Sequence, residues 1–207
     1  IPASFGNAVN PIGIAVATAI IATFGGVVVA GFGVATRIES LSVIPMLALS
    51  SAIGPFVGQN WGAGKCDRVA EALKFCYAVC AVWAGVLAAV FWLAAESIAS
   101  IFSQDPTIIS TATKYLAIVP LSLWGYGIVI ITAGAFNALG RSHYGLGLYL
   151  IRTAVLYIPF AFVASRLAGS DAVFYGIAAA NALAGIAVAG FALNWLSRHD
   201  VPQTAAA

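Results

Sequence analysis

Between Lys114 and Arg141 the chain reads YLAIVPLSLWGYGIVIITAGAFNALG (residues 115–140), 26 residues without a charge. About 20 apolar residues at 1.5 Å each cross a hydrocarbon core of about 30 Å, so this stretch has the length and polarity of a membrane-spanning helix. Its Leu, Ile, Val, Ala and Gly run on without the period-two alternation of a barrel wall, and a helix satisfies its own backbone in lipid.

The same measure extends outward. There are 25 uncharged residues between Glu39 and Lys65, 21 between Lys74 and Glu96, and 26 between Asp171 and Arg198. The first 36 residues carry no charge, and Arg152 alone interrupts Ser142 to Ser165. The expectation is an all-α integral membrane fold of six transmembrane helices over about 3–29, 40–59, 75–98, 107–139, 144–163 and 173–196, with a disordered polar and alanine tail over 197–207. Composition agrees. Hydrophobic residues make up 62% and charged residues 8%, against roughly 45–50% and 25% in soluble domains. The chain starts at Ile1 inside apolar sequence, without a methionine or a basic leader, and so reads as part of something longer.

A net charge of +2 gives nucleic acid no purchase. Taking the connections as those around Arg37, Lys65 to Lys74, Asp105 and Lys114, Arg141, and Arg166 and Asp171, the basic residues favour a cytoplasmic face at Lys65, Arg141 and the C-terminus. A short amphipathic helix from Asp67 to Lys74 is expected along that interface. Cys66, Cys76 and Cys80 give neither a disulfide framework nor metal-ligand spacing. With His143 and His199 both in connections, and no paired carboxylates or nucleophile–base set, enzyme chemistry has nothing to work with.

Arg152 is the only charge placed well inside a span, at a cost of about 2.5–3.5 kcal/mol on insertion scales. It is a candidate cavity or coupling residue, with clamping of helix carbonyls as the bland alternative. Asn7, Asn10, Asn137 and Asn181 are amides in or beside spans, suited to a substrate or to a neighbouring helix. Tyr126, Trp124, Tyr149 and Tyr157 could stack on aromatic cations, or simply pack. Arg37 and Glu39 read as interfacial anchors, or as a gate or interlobe contact. Pro45, Pro55, Pro120 and Pro159 each remove an intrahelical hydrogen bond and are candidate hinges. Ser103-Gln104-Asp105-Pro106 is a helix start, Asp as cap and Pro at the first position. The second and fourth spans both end in Asn, then Gly and a basic residue.

Gly58-Gln59-Asn60-Trp61-Gly62-Ala63-Gly64-Lys65 resembles the GQxxGAG signature after the eighth helix of multidrug and toxic compound extrusion (MATE) transporters. Arg37-Ile38-Glu39-Ser40-Leu41 with Pro45 resembles the start of that helix. Phe102 to Pro106 resembles the LFTxDP turn before the tenth, and Ala133 to Arg141 the end of the tenth. Four motifs in the family's order, within a resemblance that covers roughly Pro2 to Leu196, imply the C-terminal six-helix lobe of a twelve-helix transporter, whose lobes rock about a central cavity.

The resemblance implies export of organic cations or drugs by proton or sodium antiport, with the lipid bilayer and an N-terminal lobe as partners and an inner-membrane location. A lipid-linked saccharide flippase of the same superfamily, or a truncated non-transporting protein, are the alternatives. Some members carry an acidic residue in the seventh and tenth helices. Here the first span has none, and the fourth offers Ser122 and Tyr126. No carboxylate is therefore expected inside a span, no cofactor is implied, and the coupling ion would be bound mainly by the N-terminal lobe.

Overall fold

Four glycines at positive φ (Gly25, Gly64, Gly140 and Gly169) and one aspartate set helix boundaries. The computed structural model describes Pro2 to Arg198; the tail expected over 197–207, with His199, falls outside the described residues from position 199 onward. Helix α1 (Pro2–Ala22) closes in a turn capped by Gly25 at φ 111, after which α2 (Gly26–Gly62) runs 37 residues. At the end of α2 the Lys65 N–H donates to the Asn60 carbonyl at 2.8 Å and Gly64 N–H to Trp61 at 3.0 Å, with Gly64 at φ 70. After α5 the Arg141 N–H reaches Phe136 at 2.8 Å and Gly140 N–H reaches Asn137 at 3.1 Å, with Gly140 at φ 71. Both are Schellman turns, which need a left-handed residue just past the helix. The repeated Asn, Gly, basic ending is that motif.

Helix α3 is Cys66–Ser100, and α4 (Pro106–Ile118) is capped by the Asp105 carboxylate, which accepts from the N–H groups of Thr107 and Ile108. A 3-10 turn at Pro120–Ser122 joins α4 to α5 (Leu123–Ala138). Helix α6 (Ser142–Leu150) passes through a seven-residue π-helix, Ile151–Tyr157, into α7 (Ile158–Ala168), and α8 is Ser170–Arg198. The described residues therefore make six consecutive rods. Five are long and apolar enough to cross a membrane; α1, at 21 residues, is the shortest rod.

The central rod is α4–α5, whose apolar window is 78% buried against 28–44% in the other four long rods. Near one end Tyr115 meets Phe32 of α2 and Phe174 of α8 edge-on, at ring separations of 5.5 and 5.2 Å. Near the other, Trp61, Phe136, Tyr144, Phe191 and Trp195 gather, and Arg141 lies 4.8 Å over the Trp195 ring. Helices α5 and α8 cross where both carry glycine: a Cβ on Gly125 would overlap the Asn181 carbonyl, and one on Gly185 would overlap Gly125 itself. Small residues permit such approach, and the approach supplies the dispersion contact that holds helices together in lipid.

Three boundaries differ from the sequence expectation. The first span ends at Ala22 and not near 29, because the Gly25 turn reverses the chain in wholly uncharged sequence. The stretch around Arg37 and Glu39, read as a connection, lies inside α2. The amphipathic segment from Asp67 to Lys74 is the start of α3 and not a separate helix, since nothing there interrupts the backbone ladder.

Candidate functional site

Position 152 lies in the π-helix, whose wide winding is uncommon and is found frequently at functional sites. The Arg152 side chain is 2% exposed. Its Nε and Nη2 groups donate to the Asn181 Oδ1 of α8 at 3.1 and 2.8 Å, and Nη1 donates to the Asn10 Oδ1 of α1 at 3.0 Å. The Asn181 Nδ2 in turn donates to Ser122 Oγ at 3.2 Å, in the 3-10 turn. The guanidinium carbon sits 3.7 Å above the Tyr126 ring and 5.5 Å from that of Tyr157. A buried cation must be paired or hydrogen-bonded. This one has amide oxygens and aromatic faces, and no carboxylate within ion-pair distance: among the described residues the ion pair is Lys114 with Asp171.

The carboxylate of the site comes from α2. Glu39 is half-buried, 13 positions past Gly26 in the 37-residue helix, and its Oε2 accepts from the Tyr115 hydroxyl. The expectation that no carboxylate lies inside a span is thereby overturned. Charge was taken to mark a connection, whereas here an aromatic hydroxyl 76 residues away accommodates it.

Glu39 and Arg152 border one cavity of about 180 Å³, lined also by Asn10, Tyr115, Tyr126 and Tyr157. It is walled by aromatic rings and carries one acid and one base that do not touch. At this volume, below the about 300–1,000 Å³ of ordinary ligand pockets, the space can receive part of a flat organic molecule, with charge selection set by the protonation of the acid.

The other candidates lie elsewhere. Arg37 is exposed on α2, away from Glu39, as a separation of two on a helix requires. Asn137 is exposed at the end of α5, beside Gly145, outside the cavity. The Asn7 side chain falls outside the described ones. Pro45 and Pro55 are exposed within an unbroken α2, Pro120 opens the buried 3-10 turn, and Pro159 follows the π-helix. Tyr115 carries no signal in its own neighbourhood and went unremarked in the sequence.

A family model described as MatE matches residues 2–163. The FAD transporter of Shewanella oneidensis is 36% identical over 186 residues, 90% of this chain and 41% of that protein. The multidrug export protein MepA of Staphylococcus haemolyticus is 28% identical over 157 residues, 76% of this chain and 34% of that protein. Among solved structures, the MATE transporter VcmN of Vibrio cholerae in its bent form superposes with a TM-score of 0.89 at 24% identity, over 96% of this chain and 46% of its own. A MOP superfamily transporter from Pyrococcus furiosus gives 0.91 at 22% identity, over 97% and 46%. The chain spans less than half the length of the relatives it matches.

Proposed function

The chain belongs to the MatE family of membrane transporters, and from that premise we propose that it is the C-terminal lobe of a secondary transporter exporting aromatic organic cations and drugs in exchange for protons or sodium ions. It is a multi-pass membrane protein of a transporter family, not an enzyme. The single observation that carries the reading is Glu39, half-buried on the wall of a tyrosine-lined cavity.

In this reading an N-terminal lobe closes the other side of the cavity, and rocking of the two opens it to each side of the membrane in turn. With the Arg152 guanidinium already over the Tyr126 face, the attraction for an organic cation comes from the Glu39 carboxylate. A proton or sodium ion on Glu39 cancels the charge such a substrate needs. Ion and substrate then exclude each other, which is the requirement for exchange. An acid in the N-terminal lobe is expected to bind most of the coupling ion, with Glu39 sharing the task. The basic residues at Lys65, Arg141 and Arg198 support a cytoplasmic C-terminus, and the family supports a plasma-membrane location.

Arg152 favours a second reading. Three of its five N–H groups go to amides, and those left over suit a phosphate. The relative in Shewanella oneidensis is named a FAD transporter, so an anionic dinucleotide is the rival substrate. A lipid-linked saccharide flippase would call for more cations than the one that borders this cavity.

Ethidium and FAD movement should be compared in inverted vesicles carrying the two-lobed transporter, under imposed proton or sodium gradients. Glu39→Gln is expected to slow gradient-driven ethidium transport roughly tenfold or more, the loss of about 1.4 kcal/mol of interaction. Ethidium movement no faster than in empty vesicles under both gradients would sink the cation reading. Gradient-driven FAD transport abolished by Arg152→Ala, without ethidium transport, would install the second.

A further inference from the structure

At about 100° per residue, Glu39, Val43 and Leu47 centre on one face of α2, while Ala48, Ala52 and Phe56 lie about 140–180° round from that centre, with Leu49 at their edge. That opposite face borders α3 across two adjoining clefts of about 520 and 380 Å³, which share Leu49 and Ala52. Together they form one groove. Its walls are apolar, from Phe56 and Phe75 at one end to Val79 and Trp83 at the other. The charged side chains that border it are Arg68 and Glu71, both at its mouth. These two are exposed and three residues apart on one helix, yet they do not pair with each other.

We propose that this groove holds an acyl chain of phosphatidylethanolamine, with the lipid phosphate on Arg68 and its ammonium on Glu71. Length supports the assignment. Arg68 and Trp83 are 15 residues apart on α3, about 22 Å. Half of a bilayer measures about 20–22 Å from its head groups to its midplane. The indole of Trp83 closes the deep end, held by its Nε1 donating to the Ser42 carbonyl at 2.9 Å. Charge supports the head group. A wholly anionic lipid would satisfy Arg68 and be repelled by Glu71, whereas a phosphate joined to a primary ammonium meets both, and the ammonium can donate hydrogen bonds that a choline cannot. The occupant is a lipid and not the partner lobe because Ala48, Ala52 and Phe56, the exposed α2 wall of the groove, are turned away from the Glu39 cavity.

The test is native mass spectrometry of the two-lobed transporter in detergent, titrated with phosphatidylethanolamine, phosphatidylglycerol and phosphatidylcholine. One phosphatidylethanolamine is expected to bind in preference to the other two. Glu71→Gln is expected to weaken it about fivefold and to narrow its lead over phosphatidylglycerol, and Arg68→Gln to weaken both about fivefold. Ala52→Trp, which fills the groove, is expected to abolish the preferred site. Arg166→Gln, at the cleft between α1 and α7, serves as the control. No preference for phosphatidylethanolamine in the parent protein overturns the proposal. So does a preference that survives both charge substitutions, or one lost equally in Arg166→Gln. A disulfide formed between Leu49→Cys and a cysteine of the other lobe would also overturn it. Lipid binding is read without any transported substrate, so its failure is separate from failure of the transport reading.

Discussion

Replacing Asn181 by Ala removes the oxygen that accepts both Nε and Nη2 of Arg152 and the amide that donates to Ser122. Polar contacts between helices in a membrane contribute only about 0.6 kcal/mol on average, with a maximum near 1.7. Two features raise the figure here. The donor is a cation, for which a hydrogen bond nets about 1.5–3 kcal/mol. Asn181 is 0% exposed and Arg152 2%, so lipid head groups do not replace what is lost. The expected cost of Asn181→Ala is therefore about 2–4 kcal/mol.

Arg152→Met removes the cation and with it the need for the amide. In the double variant Asn181 contributes little, and the coupling energy of the cycle should be about 2 kcal/mol. Unfolding by sodium dodecyl sulfate in mixed micelles, followed by tryptophan fluorescence, gives all four stabilities. Additivity within about 0.5 kcal/mol would refute the claim that Asn181 exists to hold the arginine.

Two other changes test the backbone. Gly125→Ala drives a methyl into the Asn181 carbonyl where α5 and α8 cross, and should cost about 1–3 kcal/mol by overpacking. A melting temperature of the purified transporter equal to that of the parent would show that the crossing is looser than drawn. Gly64→Ala forces a left-handed residue at φ 70 and should cost about 1–2 kcal/mol. Gly62→Ala, two residues away with open space around it, should be neutral in the same melt.

The transmembrane rods were legible because lipid imposes a length: an uncharged run bounded by charge measures a crossing. The rule failed where the protein solvates a charge itself. Arg37 and Glu39 sit inside α2, and Glu39 is accepted there because the Tyr115 hydroxyl reaches it from 76 positions along the chain. No local pattern in sequence carries that distance. Turn chemistry was legible at Asp105, where Pro106 and the cap act within one turn, and at Gly64 and Gly140, where only a residue without Cβ adopts the conformation easily. The turn at Gly25 went unread because no charge flags it. Arg152, Asn10, Asn181 and Tyr126 could each be singled out by chemistry, since polar groups are rare in such sequence. That they meet, while Asn137 stands apart, is settled by helix packing.

The arginine also makes the order of synthesis matter. Arg152 enters the membrane in the fifth rod, and its principal amide arrives only with the sixth, 29 residues later. Until then the charge bears about 2.5–3.5 kcal/mol of insertion cost with Asn10 as its remaining amide. The fifth crossing is thus provisional and becomes fixed only when the last helix threads in beside it. A chain cut short of Asn181 leaves the arginine with Asn10 as its amide partner.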